Sequence, residues 1–292
     1  MTQPATASIG SDAPAVVPLA DVELGVRRAL DEDVGVGDLT AELIPAAQPG
    51  RARVITRDEA VLCGQAWFER SFTMLDPRVQ VRWSKRDGEA MQPGDVVCEI
   101  DGPARALVTG ERTALNFLQT LSGTATVARR YADCLTGTHT RLLDTRKTIP
   151  GLRAAQKYAV RCGGGRNHRH GLYDAILIKE NHIEAAGSVP AAIAALRAAH
   201  GALPIETEVE SLAELAAAIE AGADIVLLDN FTPAMMREAV ALAVGRVKLE
   251  ASGGFTFEDL RSVAETGVDY ISVGGLTKHL RAVDFSMRFL RD

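Results

Sequence analysis

The chain has 292 residues, of which 47% are hydrophobic and 24% charged, with a formal net charge of −6. Such a chain forms one or two globular domains whose core needs neither disulfides nor a structural metal. The acidity argues against a general nucleic-acid binder, and no apolar run reaches the roughly 18 residues needed to cross a bilayer.

The first twenty residues show no basic cluster followed by an apolar stretch, so a secretory signal is not expected. Residues 1–18 are rich in Ala, Pro, Thr and Ser and read as a disordered leader. Residues 19–122 read as an N-terminal α/β (α+β), sandwich-like domain. Val22, Val26 and Leu30 repeat at helical spacing, and Asp33–Thr40 is turn-rich. Arg51–Thr56, Val79–Trp83 and Val96–Ile100 read as strands, and Glu111–Leu121 as a helix. The cysteines at 63, 98, 134 and 162 form no C-x-x-C pair and no zinc-like spacing. They read as reduced thiols of a cytoplasmic protein.

From 123 to 280 the rhythm changes. Short apolar runs recur at 142–144, 175–178, 205–209, 224–228, 247–250 and 270–273, with helical stretches between them. Ser188 before Pro190 and Thr232 before Pro233 predict helix starts. Ser211–Glu214 and Thr256–Asp259 read as capping boxes, and Gly222 as a helix stop. Repeated strand–helix units imply a parallel sheet with right-handed crossovers. The segment is short for a full eight-fold barrel of about 250 residues. It predicts an incomplete α/β barrel of six or seven strands. Residues 281–292 read as a helix packing back on the N-terminal domain.

Sites in such folds lie at the C-terminal ends of the strands. Those ends carry Thr145, Arg146 and Lys147; Lys179, Glu180 and Asn181; Glu208 and Glu210; Asp229 and Asn230; Glu250 and Ser252; and Gly274 and Gly275. Residues 141–182 hold nine Lys or Arg against three acids, inside an acidic chain. They include the run Cys162-Gly-Gly-Gly-Arg-Asn-His-Arg-His-Gly171, in which two histidines flank an arginine. The run predicts a close backbone approach to a strongly anionic small molecule, bound through arginines suited to planar carboxylate or phosphate groups. No aromatic residues interleave with the basic ones, which argues against a nucleic-acid patch. Ser252-Gly253-Gly254 and Gly274-Gly275 follow the last two strands, where glycine turns commonly hold a phosphate. Glu206, Glu208 and Glu210 share one strand face. Three acids facing an apolar interior are costly unless paired or metal-bound. The face is therefore the wet mouth of the site, or the strand is short. Glu208 and Asp229 are the candidate ligands for a Mg²⁺ shared with substrate phosphates.

Taken together, Glu111–Thr124, Asp144-Thr-Arg-Lys-Thr-Ile-Pro-Gly151, Gly163–Arg169, Ile178-Lys-Glu-Asn-His182, Leu228-Asp-Asn230, Glu250-Ala-Ser-Gly-Gly254 and Ile271-Ser-Val-Gly-Gly275 form a distinctive set. They closely resemble the quinolinate phosphoribosyltransferase family over nearly the whole chain after residue 20. The resemblance implies transfer from phosphoribosyl pyrophosphate to quinolinate, giving nicotinate mononucleotide, pyrophosphate and CO₂ in NAD synthesis. It implies Mg²⁺ and a homodimer, or a higher oligomer built from it, in which Arg112 completes the partner's site. It places Thr145, Arg146, His168, Arg169 and Lys179 around quinolinate. Lys147, Glu208 and Asp229 are the implied catalytic groups at the phosphoribosyl moiety. Lys147 and the loops of Ser252, Gly253, Gly254, Gly274 and Gly275 would take the phosphate.

Three other readings compete. A phosphoribosyltransferase for nicotinate or another base fits the same phosphate loops, but the arginine count favours a dicarboxylate. A Schiff-base aldolase would use Lys147 or Lys179 as nucleophile. The stretch 87–106 has a lipoyl-type hairpin pattern, but Lys85 is the nearest lysine and no hairpin-tip lysine follows.

Overall fold

The computed structural model describes residues 9–11, 16–201 and 203–290. They form two compact units. The first takes the described residues of 15–129 with 148–164 and 276–290; the second takes those of 1–14 with 130–147 and 165–275. These units do not follow chain order, and 122/123 is no break in the backbone. That point lies inside one uninterrupted helix, and 148–164 joins the first unit.

The first unit opens with α1 (Leu19–Asp33), which buries Val22, Val26 and Leu30, one apolar stripe at helical spacing. Strands β1 (Pro49–Thr56) and β2 (Ala60–Val61) precede α2 (Gln65–Thr73). Strands β3 (Gln80–Trp83), β4 (Ala90–Met91) and β5 (Val96–Pro103) lead into α3 (Ala104–Cys134). After α3 the chain forms β6 (Arg141–Leu143) in the second unit and returns for α4 (Arg153–Cys162). The predicted helix 111–121 is thus the middle of a much longer one. Leu107, Ala114, Leu115 and Leu118 of α3 pack with Phe68, Phe72 and Ile100 in one core cluster. Phe117, Leu121 and Ala125, on the adjoining stripe, pack with Val26, Trp67 and Ala159 in another. Each fully buried large side chain contributes about 1.5–3 kcal/mol. Lys85 bonds Ala90 O (2.9 Å) and pairs with Asp95 (3.0 Å), and 104–106 begins α3, so 87–106 is scaffold rather than a carrier hairpin.

The second unit continues with β7 (Ile176–Ile178), α5 (Glu180–Ala186), α6 (Val189–His200) and β8 (Ile205–Val209). Next come α7 (Leu212–Glu220), β9 (Ile225–Asp229), α8 (Pro233–Ala243) and β10 (Lys248–Ser252). It ends with α9 (Leu260–Ala264), β11 (Tyr270–Ser272) and the first residue of α10 (Gly275–Lys278). All six predicted barrel strands form, in the order β6-β11-β10-β9-β8-β7 and parallel throughout. First strand beside last is barrel closure. β6 and β7 stand at opposite edges of the sheet, and Leu143 of β6 pairs instead with Arg166, outside any strand, so the barrel is incomplete. Ser188 and Thr232 accept from Ala191 and Met235 N–H as N-caps. The Ser211 box is half made: Ser211 accepts from Glu214 N–H, while Glu214 accepts from Glu210 instead. The Thr256 box is a turn, because Thr256 N–H and Oγ1 both bond Asp259 Oδ2, and α9 starts only at Leu260.

Two sequence expectations change at the termini. Within the predicted leader, 1–8 and 12–15 lie outside the described residues, but Ile9 is buried with Leu143, Ala175, Ile225 and Tyr270. Gly10 N–H bonds Asn167 O at 3.1 Å, and Arg166 donates to Gly10 O at 2.9 Å. Ile9 and Gly10 are held here because one apolar residue packs into the barrel core. At the other end, Phe285–Phe289 is the strand β12, not a helix; 291–292 lie outside the described residues. It joins the sheet β12-β1-β5-β3 as an antiparallel neighbour of β1. Alternate residues Phe285 and Met287 enter the core, which a strand's period of two satisfies.

Candidate active site

The six parallel strands of the second unit point their C-terminal ends to one side. That geometry brings sequence-distant charges together. Lys179, just past β7, pairs with Glu208 on β8. Asp229, at the end of β9, has its carboxyl held above the usual range by burial and by the charge of Glu208. The ammonium groups of Lys179 and Lys147 pull it the other way. Thr145 Oγ1 accepts from Lys147 N–H at 3.1 Å and fixes the turn after β6. The Lys147 side chain then runs over Gly274. A Cβ there would lie 3.0 Å from Lys147 Cδ and 3.5 Å from Thr145 Oγ1, so the bare backbone makes room for the lysine. Asn230 follows Asp229 in the left-handed region (φ 55°), which asparagine tolerates, and donates its N–H to Ser252 O at 3.1 Å. This ties the ends of β9 and β10 beside the Ser252-Gly253-Gly254 turn.

A second group lies on β6 and on the segment that follows Arg166, the residue paired with Leu143. Asp144 is fully buried and accepts from His168 N–H (2.9 Å) and from Asn167 Nδ2 (2.6 Å). It thereby fastens 167–168 beside β6. Arg169 follows, its guanidinium held below the ordinary arginine value by burial and by the like charge of Arg146. Glu206 and Asp174 oppose that shift. Two arginines in each other's field suit a ligand with two carboxylates.

The group that strand reading missed lies underneath. His168 Nε2 stands 2.9 Å from Glu206 Oε2 and 3.5 Å from Glu250 Oε2. The two glutamates are 0% exposed and the histidine 7%. His168 Nδ1 accepts from Arg169 N–H at 2.7 Å, so the ring proton sits on Nε2 and faces the carboxyls. Burial pushes Glu206 up to about 7 and Glu250 to about 8; the charge of Glu206 adds to the second shift. The period of two put Glu206 and Glu208 on one face. It could not say that Glu206 lies inside the barrel while Glu208 lies at its rim.

The predicted residues therefore fall into three sets. Lys147, Lys179, Glu208 and Asp229 form one charge cluster, with Thr145 and Gly274 around the Lys147 stem. Arg146 and Arg169 form a second, above His168. Ser252, Gly253 and Gly254 form a turn that no helix follows directly, whereas Gly275 opens α10. Arg112 is exposed on α3 in the other unit, and the second unit does not include it. The close approach expected of the glycine run is made by Gly163, and its target is protein. A Cβ there would lie 2.4 Å from Ala125 O and 2.5 Å from Ala128 Cβ of α3.

Comparison with known proteins gives these groups a family. Residues 38–122 match the model of the quinolinate phosphoribosyl transferase N-terminal domain, and 124–288 that of the C-terminal domain. The chain is 46% identical over 257 residues to a probable nicotinate-nucleotide pyrophosphorylase [carboxylating] of Bacillus subtilis, spanning 88% of this chain and 89% of that protein. It is 41% identical over 272 residues to the nicotinate-nucleotide pyrophosphorylase [carboxylating] of Mycobacterium leprae, spanning 90% and 95%. The solved nicotinate-nucleotide pyrophosphorylase of Francisella tularensis superposes with a TM-score of 0.93 at 45% identity, over 96% of this chain and all of that one. These matches span both units, and the chain belongs to the quinolinate phosphoribosyltransferase family.

Proposed function

We propose that this chain transfers the phosphoribosyl group of phosphoribosyl pyrophosphate to the ring nitrogen of quinolinate, with loss of CO₂, to give nicotinate mononucleotide and pyrophosphate. The observation that carries the reading is the pairing of Arg146 and Arg169 beside a separate cluster of Lys147, Lys179, Glu208 and Asp229. The arginines, with Thr145 and Lys179, take the two adjacent carboxylates of quinolinate, and His168 supports the floor. Lys147 and the glycine turns take the phosphoribosyl group.

As the ring nitrogen forms its bond to the sugar carbon, the bond to the pyrophosphate oxygen breaks and the electron pair leaves with it. Glu208 and Asp229 face the positive charge that develops on the sugar. The alkylated ring then draws electrons from the neighbouring carbon. The bond to its carboxyl breaks, CO₂ leaves, and the carbanion beside N⁺ takes a proton. The protein orients the reactants and supplies positive charge through Lys147 and Lys179, with no covalent nucleophile. Lys179 is engaged by Glu208, which does not favour a Schiff-base role.

Glu208 and Asp229 would hold Mg²⁺, which when bound offsets the charge of the leaving pyrophosphate. The fit lies in the donor set: two hard carboxylates on neighbouring strands whose repulsion already raises Asp229. The working form is a homodimer with Arg112 reaching the partner's site, in the cytoplasm. The test is product formation from quinolinate, phosphoribosyl pyrophosphate and Mg²⁺, read by chromatography beside a reaction with nicotinate. Nicotinate mononucleotide from quinolinate alone is expected. Product only from nicotinate would overturn the roles of Arg146 and Arg169.

A further inference from the structure

The first unit holds a second cluster of reactive side chains. Cys63 lies between β2 and α2 and is fully buried; Cys162 ends α4 and is half-buried. Their Sγ atoms and a carboxylate oxygen of Asp87 all lie within 4.8 Å of one another. Such a set suits either a thiophilic metal ion or a covalent link between the sulfurs.

Asp87 decides between them. Its Oδ1 accepts from the N–H groups of Gly64 (3.0 Å) and Gln65 (3.3 Å), and its Oδ2 accepts from Tyr158 OH (2.8 Å). The carboxylate is engaged by two backbone donors at the start of α2 and by the Tyr158 hydroxyl of α4. That leaves two sulfurs, short of the three or four protein ligands of a zinc site. The backbones bearing those sulfurs are tied down. Ser122 Oγ accepts from Cys63 N–H (2.9 Å) and donates to Cys63 O (3.1 Å). Arg129 donates to Cys162 O (3.3 Å) and Gly163 O (3.1 Å). Side chains of α3 thus hold both cysteines in position.

We propose that Cys63 and Cys162 are a modification site, a dithiol that hydrogen peroxide converts to a disulfide. Burial and the neighbouring sulfur hold the Cys63 thiol well above the usual range, so it stays protonated, and the half-exposed Cys162 meets the oxidant first. The Cys162 sulfur attacks one peroxide oxygen. The O–O bond breaks, hydroxide leaves and becomes water with the Cys162 proton, and a sulfenic acid remains. The Cys63 sulfur then attacks the Cys162 sulfur. The S–O bond breaks, and the departing hydroxide takes the Cys63 proton as a second water. Two thiols and one peroxide give one disulfide and two waters. The link closes a loop of about 100 residues, which restricts the unfolded chain.

The experiment treats the full-length protein with a few equivalents of hydrogen peroxide, alkylates the remaining thiols and maps them by mass spectrometry. The expected result is loss of two thiols and of two hydrogens in mass, a peptide pair joining Cys63 to Cys162, and reversal by dithiothreitol. The melting midpoint of the oxidised protein should rise. In Cys63→Ala the link cannot form, and Cys162 sulfenic acid should be trapped by dimedone. Cys162→Ser, at the half-exposed position, covers the case in which the Cys63 variant does not fold; it should show no link and no peroxide-dependent rise in melting midpoint. Four unchanged thiols, a link through Cys98 or Cys134, or wild-type Cys162 carried to sulfinic acid without a link would overturn the proposal.

Discussion

Replacing Glu250 by Gln should make the protein more stable in alkali, although it alters a buried side chain beside the candidate site. In the fold, burial and the nearby Glu206 charge raise the Glu250 carboxyl from 4.5 to about 8. Between those values the unfolded chain releases a proton that the folded chain keeps, so rising pH favours unfolding. The stability is fully present below pH 4.5 and is lost as pH climbs to about 8. At about 1.4 kcal/mol per pH unit, the loss is roughly 2 kcal/mol at pH 6 and roughly 5 kcal/mol above pH 8. Wild type should therefore lose roughly 3 kcal/mol from this group alone between pH 6 and 9. Gln keeps the shape and an oxygen toward His168 Nε2 while removing the titrating proton. It also removes the Glu250 hydroxyl whose hydrogen bond favours the Glu206 carboxylate. Urea unfolding of both proteins at pH 6, 7, 8 and 9 reads the difference. Parallel loss of stability in the two proteins, or a wild type whose stability is flat over this range, would refute the reasoning.

Other consequences are as direct. Arg146→Ala and Arg169→Ala should each weaken quinolinate binding by about 2–5 kcal/mol, because a desolvated carboxylate loses its partner; calorimetric titration giving wild-type affinity in both would sink the assignment. Arg112→Ala subunits mixed with Lys147→Ala subunits should recover part of the activity, and none recovered after subunit exchange would argue against a shared site. Gly163→Ala should destabilise by about 1–3 kcal/mol, since its Cβ would press on Ala125 O and Ala128 of α3. Gly274→Ala should leave the melting midpoint nearly unchanged and raise KM for phosphoribosyl pyrophosphate, because the added Cβ crowds the flexible Lys147 chain and meets Thr145 Oγ1 only at an ordinary contact distance. Ser188→Ala should cost about 1 kcal/mol through the lost N-cap of α6, read by chemical denaturation.

Local pattern alone determined much of this protein. Each barrel strand formed within a residue or two of its apolar run, because a buried parallel strand must be apolar and brief. The proline-marked caps at Ser188 and Thr232 formed because their geometry involves residues only three apart. The charged residues at the strand ends were legible for the same reason: parallel strands deliver all their C-termini to one side. Contacts between distant segments decided the rest. Ile9 is ordered by a hydrophobic plug whose other members come from 143, 175, 225 and 270. Phe285–Phe289 became a strand because β1 had a free edge to pair with, although 281–292 had read as a helix. Glu206 and Glu208 share one face, yet one carboxyl is buried with His168 and Glu250 and the other pairs with Lys179. Periodicity records which face a side chain takes, whereas its depth along the strand depends on how the neighbouring strands are staggered.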